Sequence, residues 1–244
     1  MIPDWQLPAG VDRGLWDYLH AADMVAGYDD MMHASALARA DIAFCERAFP
    51  SAGRLLDLGC GTGRLCAHFA ARGFECVGVD LSDEMLTKAR ANAPGATFVK
   101  GNLAEPLPVP DGSFDYAACL FSTLGMVRGA ENRTRVLLNA HRALKPGGRF
   151  VLHVHNRYYR GLGRGRVWGQ WLKSLVAPAR AGDITMPQAY GGAPLTLHHF
   201  TRRIAERLVD SCGFRMREVC ALGANGEPAT GSRVYGWLLL AVRP

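Results

Sequence analysis

The chain has 244 residues, 49% of them apolar and 20% charged, which suits one folded unit with a sizeable core and excludes a disordered or low-complexity protein. No stretch approaches the roughly 18 apolar residues of a membrane span, so no membrane partner is expected, and the N-terminus lacks a basic region followed by an apolar run. The formal charge of +6 comes from 28 basic residues, nearly all arginine. That bias is a compositional feature and is not by itself a signature of nucleic-acid binding. Seven cysteines form no C-x-x-C pair, and several sit in apolar runs. They read as reduced, buried thiols of a cytoplasmic protein, with neither a disulfide frame nor a metal site expected.

The first fifty residues predict helices, with Trp16, Leu19, Met24, Leu37, Ile42 and Phe44 at helix-like spacing until Pro50-Ser51-Ala52-Gly53 breaks the pattern. Strands and helices then alternate. Strands are predicted over 55–58, 76–80, 97–99, 114–120 and 150–155. Helices are predicted over 64–72, from the Ser82 cap to Asn92, and over 133–144, where Pro146-Gly147-Gly148 follows. Residues 157–190 break the rhythm and read as an insertion over the ligand edge of the sheet, with the character of a mobile lid. A helix over 202–211 and two strands over 215–222 and 234–242 close the chain as an antiparallel hairpin at the sheet edge. The expected fold is α/β: a doubly wound, mostly parallel seven-stranded sheet with an antiparallel edge hairpin. One domain over 1–244 is expected. It comprises a helical cover (1–50), a cofactor-binding core (51–156), a substrate-facing insertion (157–200) and a C-terminal helix and hairpin (201–244).

The chemistry concentrates in Asp57-Leu58-Gly59-Cys60-Gly61-Thr62-Gly63. Three glycines at alternate positions follow a strand and open a helix, so the backbone can turn tightly and approach a ligand. A dinucleotide fingerprint would need its third glycine at position 64, which is Arg64. Asp80 ends the next strand, where a carboxylate can accept hydrogen bonds from both hydroxyls of a ribose.

These segments resemble class I S-adenosylmethionine-dependent methyltransferases of the small-molecule type, over roughly residues 50–155. Residues 55–63 are similar to their first motif and 77–82 with Met85-Leu86 to their ribose and adenine region. Phe114-Asp115-Tyr116 is similar to their fourth-strand motif, and 144–150 to the lead into their fifth strand. The resemblance implies S-adenosylmethionine as cofactor and S-adenosylhomocysteine as product. It implies that Gly59, Cys60, Gly61 and Gly63 pass under the methionine moiety while Asp57 holds its amino group. Asp80 would take the ribose, and Leu81 and Met85 would flank the adenine. Asn102 and Leu103 would sit near the adenine, Asn102 departing from the acid usual there. Leu120 and Phe121 would line the methionine end, with Tyr28 folding over it.

Methyl transfer needs a positioned nucleophile and often only a base. His155, at the end of the fifth strand, is the candidate catalytic base, with His198 and His199 as alternatives, of which one is expected to face inward. His153 is expected to be buried against a helix. The absence of Asn-Pro-Pro-Tyr or Asp-Pro-Pro-Tyr after the fourth strand, where the chain reads Leu120-Phe121-Ser122-Thr123, argues against a nucleic-acid base-amine enzyme. The leading reading is methylation of an oxygen, nitrogen or carbon of a small molecule, acidic if the insertion's arginines face it. The alternative is an RNA methyltransferase using Arg157, Arg160, Arg164, Arg166, Lys173 and Arg180 with Tyr158, Tyr159, Trp168 and Trp171. A non-catalytic cofactor-binding protein is the third class.

Overall fold

The computed structural model describes residues 2–177, 181–189 and 193–244. Helices α1 (Arg13–Leu19), α2 (Ala22–Ala34) and α3 (Ala36–Ala48) precede the alternating region. The side chain of Met24, and Arg180 and Tyr190 of the insertion, lie outside the described residues. The central units follow in order: β1 (Arg54–Leu58), α4 (Arg64–Ala70), β2 (Glu75–Asp80), α5 (Asp83–Asn92), β3 (Thr97–Lys100), β4 (Phe114–Cys119), α6 (Thr123–Met126), α7 (Ala130–Ala143) and β5 (Leu144–His155). After these come α8 (Arg164–Val176), β6 (Asp183–Ala189), β7 (Ala193–His198), α9 (Arg202–Ser211), β8 (Arg215–Leu222) and β9 (Gly236–Val242).

Seven strands make one sheet in the order β3-β2-β1-β4-β5-β9-β8. β1 to β5 are parallel, and β9 pairs antiparallel with both β5 and β8, as the edge hairpin was expected to do. The chain winds outward from β1 through β2 to β3, then returns to the other side of β1 as β4. That reversal opens a crevice beyond the C-terminal ends of β1 and β4, where such sheets bind ligands.

Adjacent side chains of β1 serve opposite layers, as the two-residue period of a strand requires. Leu55 packs with Phe44, Cys45, Phe69 and Leu86, under α3, α4 and α5. Leu56 and Leu58 pack with Val136, Leu137 and Val209, under α7 and α9. A third cluster joins Leu15 and Tyr18 of α1 to Leu195 and Leu197 of β7 and to Met85. All seven cysteines are free, six of them buried.

Two features depart from the expected boundaries. α7 starts three residues before Arg133 and stops at Ala143, because Arg243 donates to the carbonyls of His141, Arg142 and Leu144 and so satisfies the end of the helix. β5 then begins at Leu144, before the Pro-Gly-Gly break. Phe114 pairs with Leu144 but Tyr116 pairs with Arg149, so residues 145–148 bulge out of the ladder without ending the strand. The irregular insertion also contains regular structure, namely α8 and the separate two-stranded sheet β6-β7.

Gly63 holds the first crossover together. Its φ of +80° suits glycine, and an added Cβ would lie 2.9 Å from Cζ of Phe98 and 3.1 Å from Cβ of Ala89. Gly63→Ala is therefore expected to destabilise the fold by about 1–3 kcal/mol through backbone strain and overpacking, measured as a lowered urea midpoint with unchanged slope. An unchanged midpoint would show that Phe98 gives way at no cost.

Candidate active site

The glycine turn is fixed by its backbone. The N–H groups of Gly59 and Cys60 both donate to the carbonyl of Val79, at 2.8 and 3.1 Å, tying the end of β1 to the end of β2. Gly59 has φ +76°, and a Cβ there would lie 2.4 Å from Cγ2 of Thr123. At Gly61, φ +54°, a Cβ would meet the Tyr28 ring at 3.4 Å. Asp80 completes the brace. Its Oδ2 accepts from Gly61 N at 2.8 Å and its Oδ1 from Ser82 N at 3.0 Å. Ser82 itself caps α5, its Oγ accepting from Met85 N. Burial pushes the Asp80 pKa up while those backbone donors pull it down, with burial the larger effect.

Two adjoining cavities lie along this turn. The larger, about 710 Å³, is lined by Gly59, Gly61, Asp80, Leu81, Met85, Asn102 and Leu103 on the sheet side. Its other wall comprises Ala9, Gly10, Val11, Leu15 and Tyr18 from the N-terminal segment, with Met126 and Val127. The smaller, about 350 Å³, holds Asp57, Cys60, Arg64, Leu120 and Phe121. Tyr28, Gly59 and Thr123 line both. The structure thus gathers every sequence-predicted cofactor residue but Gly63, which points into the packing between β3 and α5. Asn102 reaches the larger cavity, yet its amide is engaged: Nδ2 donates to the carbonyl of Ala9 and Oδ1 accepts from Ala104 N.

Asp57 is the electrostatic centre of the smaller cavity. It is 4% exposed, and its hydrogen-bond partner is the Cys66 thiol at 3.9 Å. Burial pushes its pKa up to about 7, Asp80 and Asp41 push the same way, and Arg64 opposes them. A buried carboxylate so weakly partnered favours a cation beside it.

The histidines cluster behind this wall. His155 lines neither cavity. It is buried at the end of β5, between the rings of Tyr235 at 4.6 Å, His153 and His199 at 5.4 Å, and Phe121 at 6.3 Å. Neither ring nitrogen has a hydrogen-bond partner, and burial with two neighbouring histidines holds its pKa well below the usual range. The imidazole is therefore neutral, one ring behind the cavity wall. His153 is buried against α3, as expected, with Nδ1 2.6 Å from Oδ1 of Asp41. His198 and His199 are both buried, whereas only one was expected to turn inward. Asp183 of β6 engages His198 at 2.7 Å, and the carbonyl of Asn156 lies 3.3 Å from Nδ1 of His199. The strip between them is enclosed by the hairpin on one side and the main sheet on the other, so both faces are interior.

Sequence reasoning missed Thr123 and the N-terminal wall. Phe121 and Ser122 stand at φ +50° and +60°, a left-handed pair that swings Thr123 back against Gly59. Neither is a glycine or an asparagine, so nothing in their identity signalled the turn. Residues 9–18 carry no motif at all.

A family described as "Methyltransferase domain" matches residues 56–152. A putative methyltransferase, YqeM, of Bacillus subtilis is 32% identical over 116 residues, 46% of this chain and 47% of that protein. The dTDP-3-amino-3,4,6-trideoxy-alpha-D-glucopyranose N,N-dimethyltransferase of Streptomyces venezuelae is 33% identical over 113 residues, again 46% and 47%. The chain spans about half the length of these curated relatives. A crystal structure of an S-adenosylmethionine-dependent methyltransferase from Methanosarcina mazei superposes with a TM-score of 0.67 at 23% identity, covering 82% of this chain and 96% of that one. The fold is the Rossmann-like methyltransferase fold. Residues 56–152 match the methyltransferase domain, and class I S-adenosylmethionine-dependent methyltransferases, with S-adenosylmethionine as cofactor, are the family that this match and the fold indicate.

Asp57 supplies a test of the site's electrostatics in the protein alone. Its folded pKa lies above its ordinary value of 3.8, so the folded state favours the protonated acid. Its contribution to stability is fully present below about pH 4 and is lost as pH rises through about 7. Asp57→Asn is expected to raise the melting temperature at pH above about 7 and to change it little near pH 4, as read by calorimetry. An equal shift at both ends would locate the effect in packing and not in charge.

Proposed function

We propose that the protein transfers a methyl group from S-adenosylmethionine to an oxygen, nitrogen or carbon atom of a small-molecule acceptor. The observation that carries this reading is the two-chamber cleft with a buried carboxylate in each part: Asp80 in the larger and Asp57 in the smaller. One carboxylate in each chamber suits a ligand with a dihydroxylated ribose at one end and an ammonium at the other. Bound, S-adenosylmethionine supplies an electrophilic methyl carbon on a sulfonium. The chain's own residues do the rest. Asp80 keeps two backbone donors on its carboxylate and offers its remaining lone pairs to the ribose hydroxyls. Leu81, Met85 and Leu103 give the adenine apolar walls. Asp57 takes the amino group, and Tyr28 lies across the glycine turn where the two chambers meet.

A small acceptor is favoured by the enclosure. Leu15 and Tyr18, which line the larger chamber, pack with Leu195 and Leu197 of β7 and so cover part of the cleft. The relative from Streptomyces venezuelae bears the name of a small-molecule enzyme. Of the residues that supported an RNA acceptor, Arg157 is withdrawn from the surface: it is buried and directed to the carbonyl of His199 and to Ser174. His155 enters the proposal as a positioning residue, its neutral imidazole backing Phe121.

Two measurements bear on this. Asp80→Ala is expected to weaken S-adenosylhomocysteine binding by about 1–3 kcal/mol in isothermal calorimetry, the usual loss for hydrogen bonds to a charged group. Unchanged affinity, or tight binding of a nicotinamide dinucleotide by the parent protein, would refute the site. His155→Phe keeps the ring and removes the nitrogens. With an acceptor in hand it should lower kcat while leaving S-adenosylhomocysteine affinity intact, and an unchanged kcat would leave the imidazole with a packing role only.

A further inference from the structure

Helix α8 is turned inside out. Its stripe facing the protein is largely polar. Gln170, 6% exposed, accepts from Gly182 N and donates to the carbonyl of Asp183, and Ser174 meets Arg157 and Tyr158. Its outward face is apolar: Trp168, Trp171, Leu172, Leu175 and Val176 are 46–73% exposed. These are five of the eight large apolar side chains exposed among the described residues, and they sit on one thirteen-residue helix. At about 100° per residue they fall within roughly a 140° arc. Scattered exposed apolar residues need no explanation, but a contiguous face does.

The charge around this face has one sign. Arg160, Arg164, Arg166 and Lys173 are exposed, and the sequence has no Asp or Glu between Glu131 and Asp183. Asp183, beside Arg166 and Lys173, is already engaged by His198 and Arg128. We propose that the outward face of α8 seats the protein on a bilayer surface rich in anionic headgroups, the apolar side chains entering the headgroup–acyl boundary and the basic ones lying at the phosphates. The early expectation of no membrane partner rested on the absence of a spanning segment, and among the described residues no helix is long and apolar enough to cross a membrane. An interfacial helix needs no such length.

The charge pattern selects this occupant. A second copy would bring Arg164, which falls within the apolar arc, against its own equivalent with no acid to offset it, whereas a lipid surface supplies the opposite charge. Single-stranded RNA would use the two tryptophans and the arginines but leave Leu172, Leu175 and Val176 without a role, since aliphatic side chains offer bases no stacking surface. The proposal rests on α8 alone and not on the identity of the methyl acceptor.

Flotation of the full chain with vesicles decides it. The protein should float with phosphatidylcholine vesicles containing phosphatidylglycerol, remain behind with phosphatidylcholine alone, and release as salt rises. The double variant Trp168→Ser/Trp171→Ser should lower the fraction bound by about tenfold or more, and Arg164→Gln/Lys173→Gln should weaken it and flatten the salt dependence. These side chains are exposed, so both variants should keep the parent's circular dichroism and S-adenosylhomocysteine affinity. Failure of the parent to float with anionic vesicles overturns the proposal, as does equal binding by the tryptophan variant. So does a concentration-dependent dimer, or retention of single-stranded RNA, that the same variants abolish while vesicles are ignored.

Discussion

The Asp80 carboxylate is the interaction on which the site depends. One buried side chain fixes three pieces of backbone: the end of β2, which carries it, the glycine turn through Gly61, and the start of α5 through Ser82. Placing a carboxylate in the interior is costly, and two backbone donors offset that cost by supplying hydrogen bonds to the charged form. The turn is therefore held in its left-handed conformation before any ligand arrives, and the ligand need not supply the ordering free energy. Gly59 and Gly61 make this possible from the other side, since a Cβ at Gly59 would collide with Thr123.

A second brace, this one centred on a cation, assembles the cover. Arg128 pairs with Asp12 at 2.6 Å and with Asp183 at 3.7 Å, its guanidinium donates to the carbonyl of Thr196, and its own N–H donates to Gly10. The segment before α1, the β6-β7 hairpin and the loop after α6 thus meet at one side chain. Each lies far from the others in sequence. The cleft is consequently held on the sheet side by backbone bonds and on the other by side-chain contacts.

That division explains what could be read in advance. The β1–α4 turn, Asp80 and the Ser82 cap were legible because each is a local rule in which residue type dictates backbone geometry within a few positions. The strand alternation and the edge hairpin were legible for the same reason. The bulge at 145–148 was not, because whether Pro-Gly-Gly ends a strand or loops out of it depends on pairing with Phe114 and on Arg243, just beyond the last strand. The left-handed pair Phe121-Ser122 was hidden by its residue types. The enclosure of His155 was hidden because strand-end position says which way a side chain points but not what the insertion lays over it.

The orientation of α8 shows the same logic with the opposite result. The chain enters β6 past Gly182, whose N–H and the following carbonyl at Asp183 both face the Gln170 side chain. A buried amide can donate and accept at once, and Gln170 does both, so the helix turns its polar stripe inward to satisfy the backbone. Once that choice is made, the 3.6-residue period forces Trp168, Trp171, Leu172 and Leu175 outward. An apolar face on the surface is thus the geometric consequence of satisfying two backbone groups in the interior. Burying the face against the sheet would have required those groups to be paired some other way.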